Sequence, residues 1–373
     1  MHTTLPRRFY ADPDFFAREL ERFYFNRWIF AGRADEIPDA GDYFTRALGD
    51  ESVIVTRDGS GDIRALFNVC RHRGTRLCEQ TEGHFAERIQ CPYHNWTYDL
   101  GGRLIAAPHM PPDFCKDEYP LHRAGCDVWD GHVFIRLGQE GREGQEGLRA
   151  QLADLPDRFA AWQMADLRLG RRIVYDVKAN WKLVVLNFNE CLHCPNLHPA
   201  LNKLHHYLDA ENVAPTASYC GGAMGFRPGV ETMSVDGKRP RAFLPGLNEA
   251  QQQQVLYFAI YPNLLLSLHP DYVMTHTLWP RAYNRTEIVC EWHFHPAEIG
   301  KTDFHADDAI EFWDLTNRED WWIAEQSQAG ISSRMYQPGP YSERESLLWS
   351  FDEIVKREAD AGDSQPRTHE RAK

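Results

Sequence analysis

Two short segments restrict this chain more than any others. Cys70-Arg-His72 and Cys91-Pro-Tyr-His94 each pair one cysteine with one histidine, and 18 residues separate His72 from Cys91. Thiolate and imidazole donors serve zinc and iron–sulfur clusters alike. Structural zinc sites usually pair ligands of one type, cysteine with cysteine and histidine with histidine. Here each segment mixes the two, and Cys70-x-His72 leaves a single residue between its donors. Mixed pairs suit a [2Fe–2S] cluster gripped from two sides, with both cysteines on one iron and both histidines on the other. The fold must bring the two segments face to face.

The flanking sequence supplies a scaffold for this. Ser52-Val-Ile-Val-Thr56 and Ala65-Leu-Phe-Asn-Val69 look like strands cut by Asp58-Gly-Ser-Gly61. Asp99-Leu-Gly-Gly-Arg103 and Asp130-Gly131 look like turns. Residues 38–137 therefore read as a small antiparallel β domain carrying both loops, and the polar, Gly-rich stretch 138–146 reads as its boundary. Residues 12–36 and 148–165 have helical spacing, and 171–177 reads as a strand. Residues 182–198 read as a helix containing Pro195, which must kink or bulge near Cys191. Strand-like runs follow at 255–260, 263–267, 272–278 and 287–295, then a helix over 306–328 that Gly330 is expected to close. The polar segment after Ala359 is expected to fray. Residues 1–37 and 138–373 thus form a second domain, an antiparallel sheet flanked by helices, and the chain is α+β.

That second domain holds another donor set, Glu190-x2-His193-x4-His198. An ideal helix places residues five apart about 140° from each other. The distortion expected at Pro195 brings His193 and His198 toward one point. Two histidines and one carboxylate, with positions left open, suit a non-haem iron. In the 306–328 helix, Ile310, Trp313, Asn317, Asp320, Ala324 and Ser327 share a stripe. Asp320 is therefore expected on the buried face, where a carboxylate without a partner calls for a cation. Glu319 is the alternative, and Asp314 lies off the stripe.

Composition narrows the partners. With 373 residues, two domains are expected. A net charge of −13 argues against nucleic acid or an anionic membrane. No signal peptide or apolar span is visible, so a cytoplasmic location is expected. Nine cysteines in a chain this long do not read as a disulfide framework. Two have ligand spacing, and the other seven, Cys78 among them, are expected to be reduced thiols.

Asn68-Val-Cys-Arg-His-Arg-Gly74 and Cys91-Pro-Tyr-His-Asn-Trp-Thr-Tyr-Asp-Leu-x-Gly102 resemble the two cluster loops of the Rieske oxygenases. Asn95 stands where that family more often has Gly or Ala. Glu190-x2-His193-x4-His198 resembles the family's mononuclear-iron helix, and Asn317-Arg-Glu-Asp320-Trp-Trp its third-ligand motif. The resemblance runs from about Phe23 to Phe351 and is to the α-subunit of ring-hydroxylating and related oxygenases. It implies a Rieske domain joined to a helix-grip, START-like catalytic domain, assembled as a homotrimer. It implies a [2Fe–2S] cluster on Cys70, His72, Cys91 and His94, and Fe(II) on His193, His198 and Asp320. Glu190 occupies the place of an aspartate that is not an iron ligand. That residue links His94 of the partner subunit to its own chain's His193. Glutamate there resembles the carnitine and glycine betaine monooxygenase branch.

Electrons are then expected from NAD(P)H through a separate flavin reductase, with or without a ferredoxin, because the sequence shows no flavin or nicotinamide motif. The implied reaction is hydroxylation or demethylation of a small aromatic compound or a quaternary or tertiary amine. The alternatives are dioxygenation of an aromatic ring to a cis-dihydrodiol and, further off, electron transfer alone. Tyr257, Trp279, Trp313 and Trp322 are candidate aromatic walls. Residues 199–212 read as a pocket lid and 219–236 as a mobile segment. His205 and His206 read as exposed, and Pro92 and Trp96 as a shield over the cluster.

Overall fold

A computed structural model describes residues 2–138 and 146–360. Most of the expected boundary at 138–146 and the tail after residue 360 lie outside the described residues. The chain divides into two units, one running from Asn26 to Arg168 and the other combining the N-terminal segment up to Phe25 with the chain from Leu169 onward. Among the described residues no helix is long and apolar enough to cross a membrane.

The first unit is built on a seven-stranded antiparallel sheet. Its strands are β1 (Ile29–Arg33), β2 (Asp42–Leu48), β3 (Glu51–Arg57), β4 (Ile63–Phe67), β5 (Glu82–His84), β9 (Arg123–Trp129) and β10 (His132–Arg136), in the order β1-β10-β9-β4-β3-β2-β5. Asp130 and Gly131 turn the β9–β10 hairpin with φ of 44° and 79°, the positive values a tight two-residue hairpin needs. A second sheet, β6 (Arg88–Gln90), β7 (Thr97–Asp99) and β8 (Leu104–Ala106), carries the second ligand loop between its first two strands.

The unit reaches beyond 38–137 on both sides. Residues 12–36 are not one helix. A helix over Pro13–Glu19 passes into a π-turn over Leu20–Tyr24, and then β1 begins. All five β1 residues are buried, and Ile29, Phe30, Gly32 and Arg33 pair with β10 around a bulge at Ala31, which an edge-on helix could not do. Arg33 then donates to the carbonyls of Met164 and Leu167 at 2.9 and 3.0 Å and ties that segment to the sheet. The expected helix at 148–165 is two short ones, Leu148–Leu152 and Leu155–Phe159, broken where Ala153 takes φ 51° ahead of Pro156.

The second unit carries β11 (Arg168–Val177), β12 (His205–Asn212), β13 (Tyr219–Phe226), β14 (Gln254–Ile260), β15 (Leu264–Leu268), β16 (Val273–Ala282) and β17 (Arg285–Phe294). They form one antiparallel sheet ordered β11-β17-β16-β15-β14-β13-β12. Residues 199–212, expected as a lid, are not a loop: Leu201–Leu204 is a short helix and His205–Asn212 is the edge strand β12. Nor is 219–226 loose, since β13 is paired on both sides. Gly221 is required there, because a Cβ would stand 2.2 Å from the Tyr257 carbonyl oxygen.

The helix Asp307–Ser332 crosses this sheet. Its Asn317 meets His276 of β16 at 3.0 Å and Tyr175 of β11 at 3.4 Å. The helix runs past Gly330 and ends at Ser332, because buried Ile331 anchors the last turn. A further helix, Ser346–Asp360, follows. Near the N-terminus, Asp12 caps the helix Pro13–Glu19. Glu19 then binds buried Lys182 at 2.6 Å and Trp181 Nε1 at 2.8 Å. This pins the start of the helix Trp181–Phe188, which Asn180 caps.

Candidate metal centres

The first centre lies in two tight loops. The Cys70 amide donates to the Thr75 carbonyl and the Gly74 amide back to Cys70; the Cys91 amide donates to the Trp96 carbonyl and the Asn95 amide back to Cys91. Asn95 takes φ 59°, a left-handed conformation that Asn tolerates and Gly prefers. Cys70 and Cys91 are buried side by side. Burial, and then the neighbouring Cys91, raise the Cys70 thiol, while the Tyr98 hydroxyl 3.5 Å away opposes this. The His72 and His94 rings lie 4.7 Å apart. Nδ1 of each is buried without a hydrogen-bond partner among the described residues. Two buried thiols and two orphaned imidazole nitrogens are a donor set that a [2Fe–2S] cluster satisfies. Trp96 is buried and stacks on His72 at 4.8 Å, whereas Pro92 is exposed. Cys78 packs in the core beneath the loops and contacts Tyr43 at 3.1 Å.

The second centre depends on a broken helix. The helix Trp181–Phe188 stops at Asn189, and a short one, Cys194–Leu197, begins after a turn with Pro195 in its first turn. The break falls around Cys191, and it brings the His193 and His198 rings to 5.0 Å. One ligand atom each from His193, His198 and Asp320 lies within 4.8 Å of the others. Asp320 Oδ1 is 2.8 Å from His198 Nε2 and 3.4 Å from His193 Nε2. The outward nitrogens are held by glutamates, His193 Nδ1 by Glu190 at 2.5 Å and His198 Nδ1 by Glu319 at 2.7 Å.

Glu319, the alternative carboxylate, meets His198 at Nδ1, on the side of the ring away from Asp320. Its signal in the sequence was its place beside Asp320, one step of roughly 100° around the helix. Asp314 instead binds Tyr175 at 2.7 Å. Burial alone would lower both histidines, yet the carboxylates raise them, His193 to about 9 through Asp320 and Glu190, and His198 chiefly through Asp320. Burial would raise Asp320, and the two histidines lower it. The three donors thus call for positive charge between them, as a bound metal cation would supply.

Cys191 and Cys194 are joined by a disulfide. Five of the seven cysteines expected to be reduced thiols are therefore free, and these two are not. The turn between the helices sets their Cα atoms 5.0 Å apart, within bridging range.

A cavity of about 340 Å³ opens onto His193, His198 and Asp320. Phe188, Tyr257 and Trp313 give it aromatic walls, with ring centroids 6.1 and 6.2 Å from Tyr257. Trp313 is fixed by donating to the Tyr272 hydroxyl at 2.8 Å. Trp279 is buried elsewhere and Trp322 is exposed, so neither lines it. His205 also faces the cavity and is 1% exposed, contrary to the expectation of a surface histidine, because β12 folds its first residue inward. His206 stays at the surface near Asp209.

A cluster-type donor set in one unit and an open two-histidine, one-carboxylate set in the other define an oxygen-activating iron enzyme. Residues 27–123 match the Rieske [2Fe-2S] domain, and residues 164–360 match the ring hydroxylating alpha subunit catalytic domain. The glycine betaine monooxygenase oxygenase subunit of Pseudomonas aeruginosa is 32% identical over 370 residues, covering 91% of this chain and 85% of that protein. The chloroplastic choline monooxygenase of Atriplex hortensis is 28% identical, with 91% and 74% covered. A quaternary ammonium Rieske monooxygenase solved with L-carnitine shares the fold, with a TM-score of 0.78, 24% identity and 96% of each chain covered. The chain belongs to the Rieske non-haem iron oxygenases, as a ring-hydroxylating-type α-subunit with a [2Fe–2S] cluster and a mononuclear iron.

Proposed function

We propose that this oxygenase acts on an N-methyl group of a small quaternary or tertiary amine, hydroxylating or removing it. The observation that carries this reading is the aromatic cavity of Phe188, Tyr257 and Trp313 opening onto His193, His198 and Asp320. Tyr and Trp faces attract a quaternary ammonium that has shed its water. The amine names of the relatives that match most of the chain point the same way.

In this reading Cys70, His72, Cys91 and His94 hold the cluster. His193, His198 and Asp320 hold the iron, which supplies reductive activation of oxygen. Glu190 and Glu319 fix the two imidazoles so that each Nε2 faces Asp320, as carboxylates beside metal-bound histidines do. Glu190 also accepts from His94 of the partner subunit, which makes a homotrimer part of the active site. A separate NAD(P)H-dependent flavin reductase, with or without a ferredoxin, supplies two electrons. One oxygen atom enters a C–H bond of the methyl group, and the other leaves as water with two protons. The resulting N-hydroxymethyl compound releases formaldehyde by breaking its C–N bond, and the nitrogen keeps the bonding pair. The aromatic walls orient the methyl group and exclude water.

Purified protein with a surrogate reductase should release formaldehyde from trimethylammonium compounds in step with oxygen uptake. Uptake on aromatic acids or aryl ethers, with none on amines, would contradict the reading.

A further inference from the structure

Two polar atoms in the cavity wall have no use in either metal centre. The Tyr257 hydroxyl on β14 and His205 Nδ1 at the start of β12 are both buried without a hydrogen-bond partner among the described residues. Both residues line the cavity, and their rings stand 6.4 Å apart. A buried polar atom left unpaired is costly, so such atoms in a native wall call for a partner. The cavity is where that partner enters.

Their chemistry selects its class. Burial holds the Tyr257 phenol protonated. Burial, then Arg227 and His206, push His205 down to about 4, so it is a neutral imidazole at pH 7. The pair thus offers two dipoles and no charge. A carboxylate placed against them would be buried without a counter-charge, which is unfavourable. Arg344, which also lines the cavity, is exposed.

We propose that Tyr257 and His205 form a polar anchor for an uncharged oxygen of the substrate, a hydroxyl, ether or carbonyl, and so choose which carbon faces the iron. This rests on the cavity being the substrate site, but not on the substrate being an amine.

The test is calorimetric binding to the holoprotein, without turnover. Choline is compared with propyltrimethylammonium, and benzyl alcohol with ethylbenzene. The anchor predicts about tenfold tighter binding of the oxygenated member in at least one pair. Tyr257→Phe, which keeps the aromatic wall, and His205→Leu should each erase most of that gap, and His205→Asn should restore part of it. A gap for benzyl alcohol with no binding of either ammonium probe sinks the amine reading and leaves the anchor standing. Equal binding within both pairs, no binding of either oxygenated probe, or a gap that Tyr257→Phe leaves intact overturns the anchor. Tighter binding of glycine betaine than of choline overturns its uncharged character.

Discussion

Asp352, in the helix Ser346–Asp360, is fully buried. One carboxylate oxygen accepts from Tyr341 at 2.8 Å, and the other has no partner among the described residues. Burial raises its pKa from 3.8 to about 7, against the Tyr341 hydrogen bond and the more distant Lys356 and Lys182. The folded state therefore holds a proton that the unfolded chain gives up near pH 4. Between those values folding binds a proton, and stability falls as pH rises. At pH 8 ionising this group costs the fold roughly 4 kcal/mol, and at pH 5 roughly 2 kcal/mol. Asp352→Asn keeps an acceptor for Tyr341 and removes the ionisation. It should stabilise the protein most at pH 8, with a clearly smaller gain at pH 5. Urea unfolding at the two pH values reads this directly. An equal difference at both, or a variant less stable at pH 8, would refute the reasoning.

Three further outcomes are expected. Lys182→Met leaves Glu19 buried with Trp181 as its remaining side-chain partner among the described residues, so it should destabilise by about 3–5 kcal/mol in urea unfolding; a loss below about 1 kcal/mol would show the pair to be incidental. Asp320→Ala should lose the mononuclear iron and keep the cluster spectrum, while Glu319→Ala should only weaken iron binding, by about 10–100-fold; the reverse pattern would exchange their roles. Glu190→Gln should keep all three irons but slow substrate-triggered oxidation of a pre-reduced cluster, and an unchanged single-turnover rate would remove its bridging role.

Much of the site was legible because its chemistry demands particular residues at short spacing. Pro195 announced the break that sets His193 beside His198. The helical stripe placed Asp320. Asn95 looked like a departure from the family, yet its φ of 59° shows why Gly or Asn suits that turn. What stayed hidden depended on distant partners. β1 has helical apolar spacing with its neighbours, and only pairing with β10 makes it a strand. His205 becomes buried because β12 pairs it with Phe226 of β13 and turns it toward the cavity, about which local pattern carries no signal. The Cys191–Cys194 bridge follows from a turn whose geometry only the fold reveals.

The assignment of two separate donor sets is tested most directly by counting iron in His193→Ala/His198→Ala. Wild type should hold three irons per chain with Rieske absorption. The double variant should hold two, with that absorption unchanged. Three irons in the variant, or loss of the cluster spectrum, would contradict the assignment.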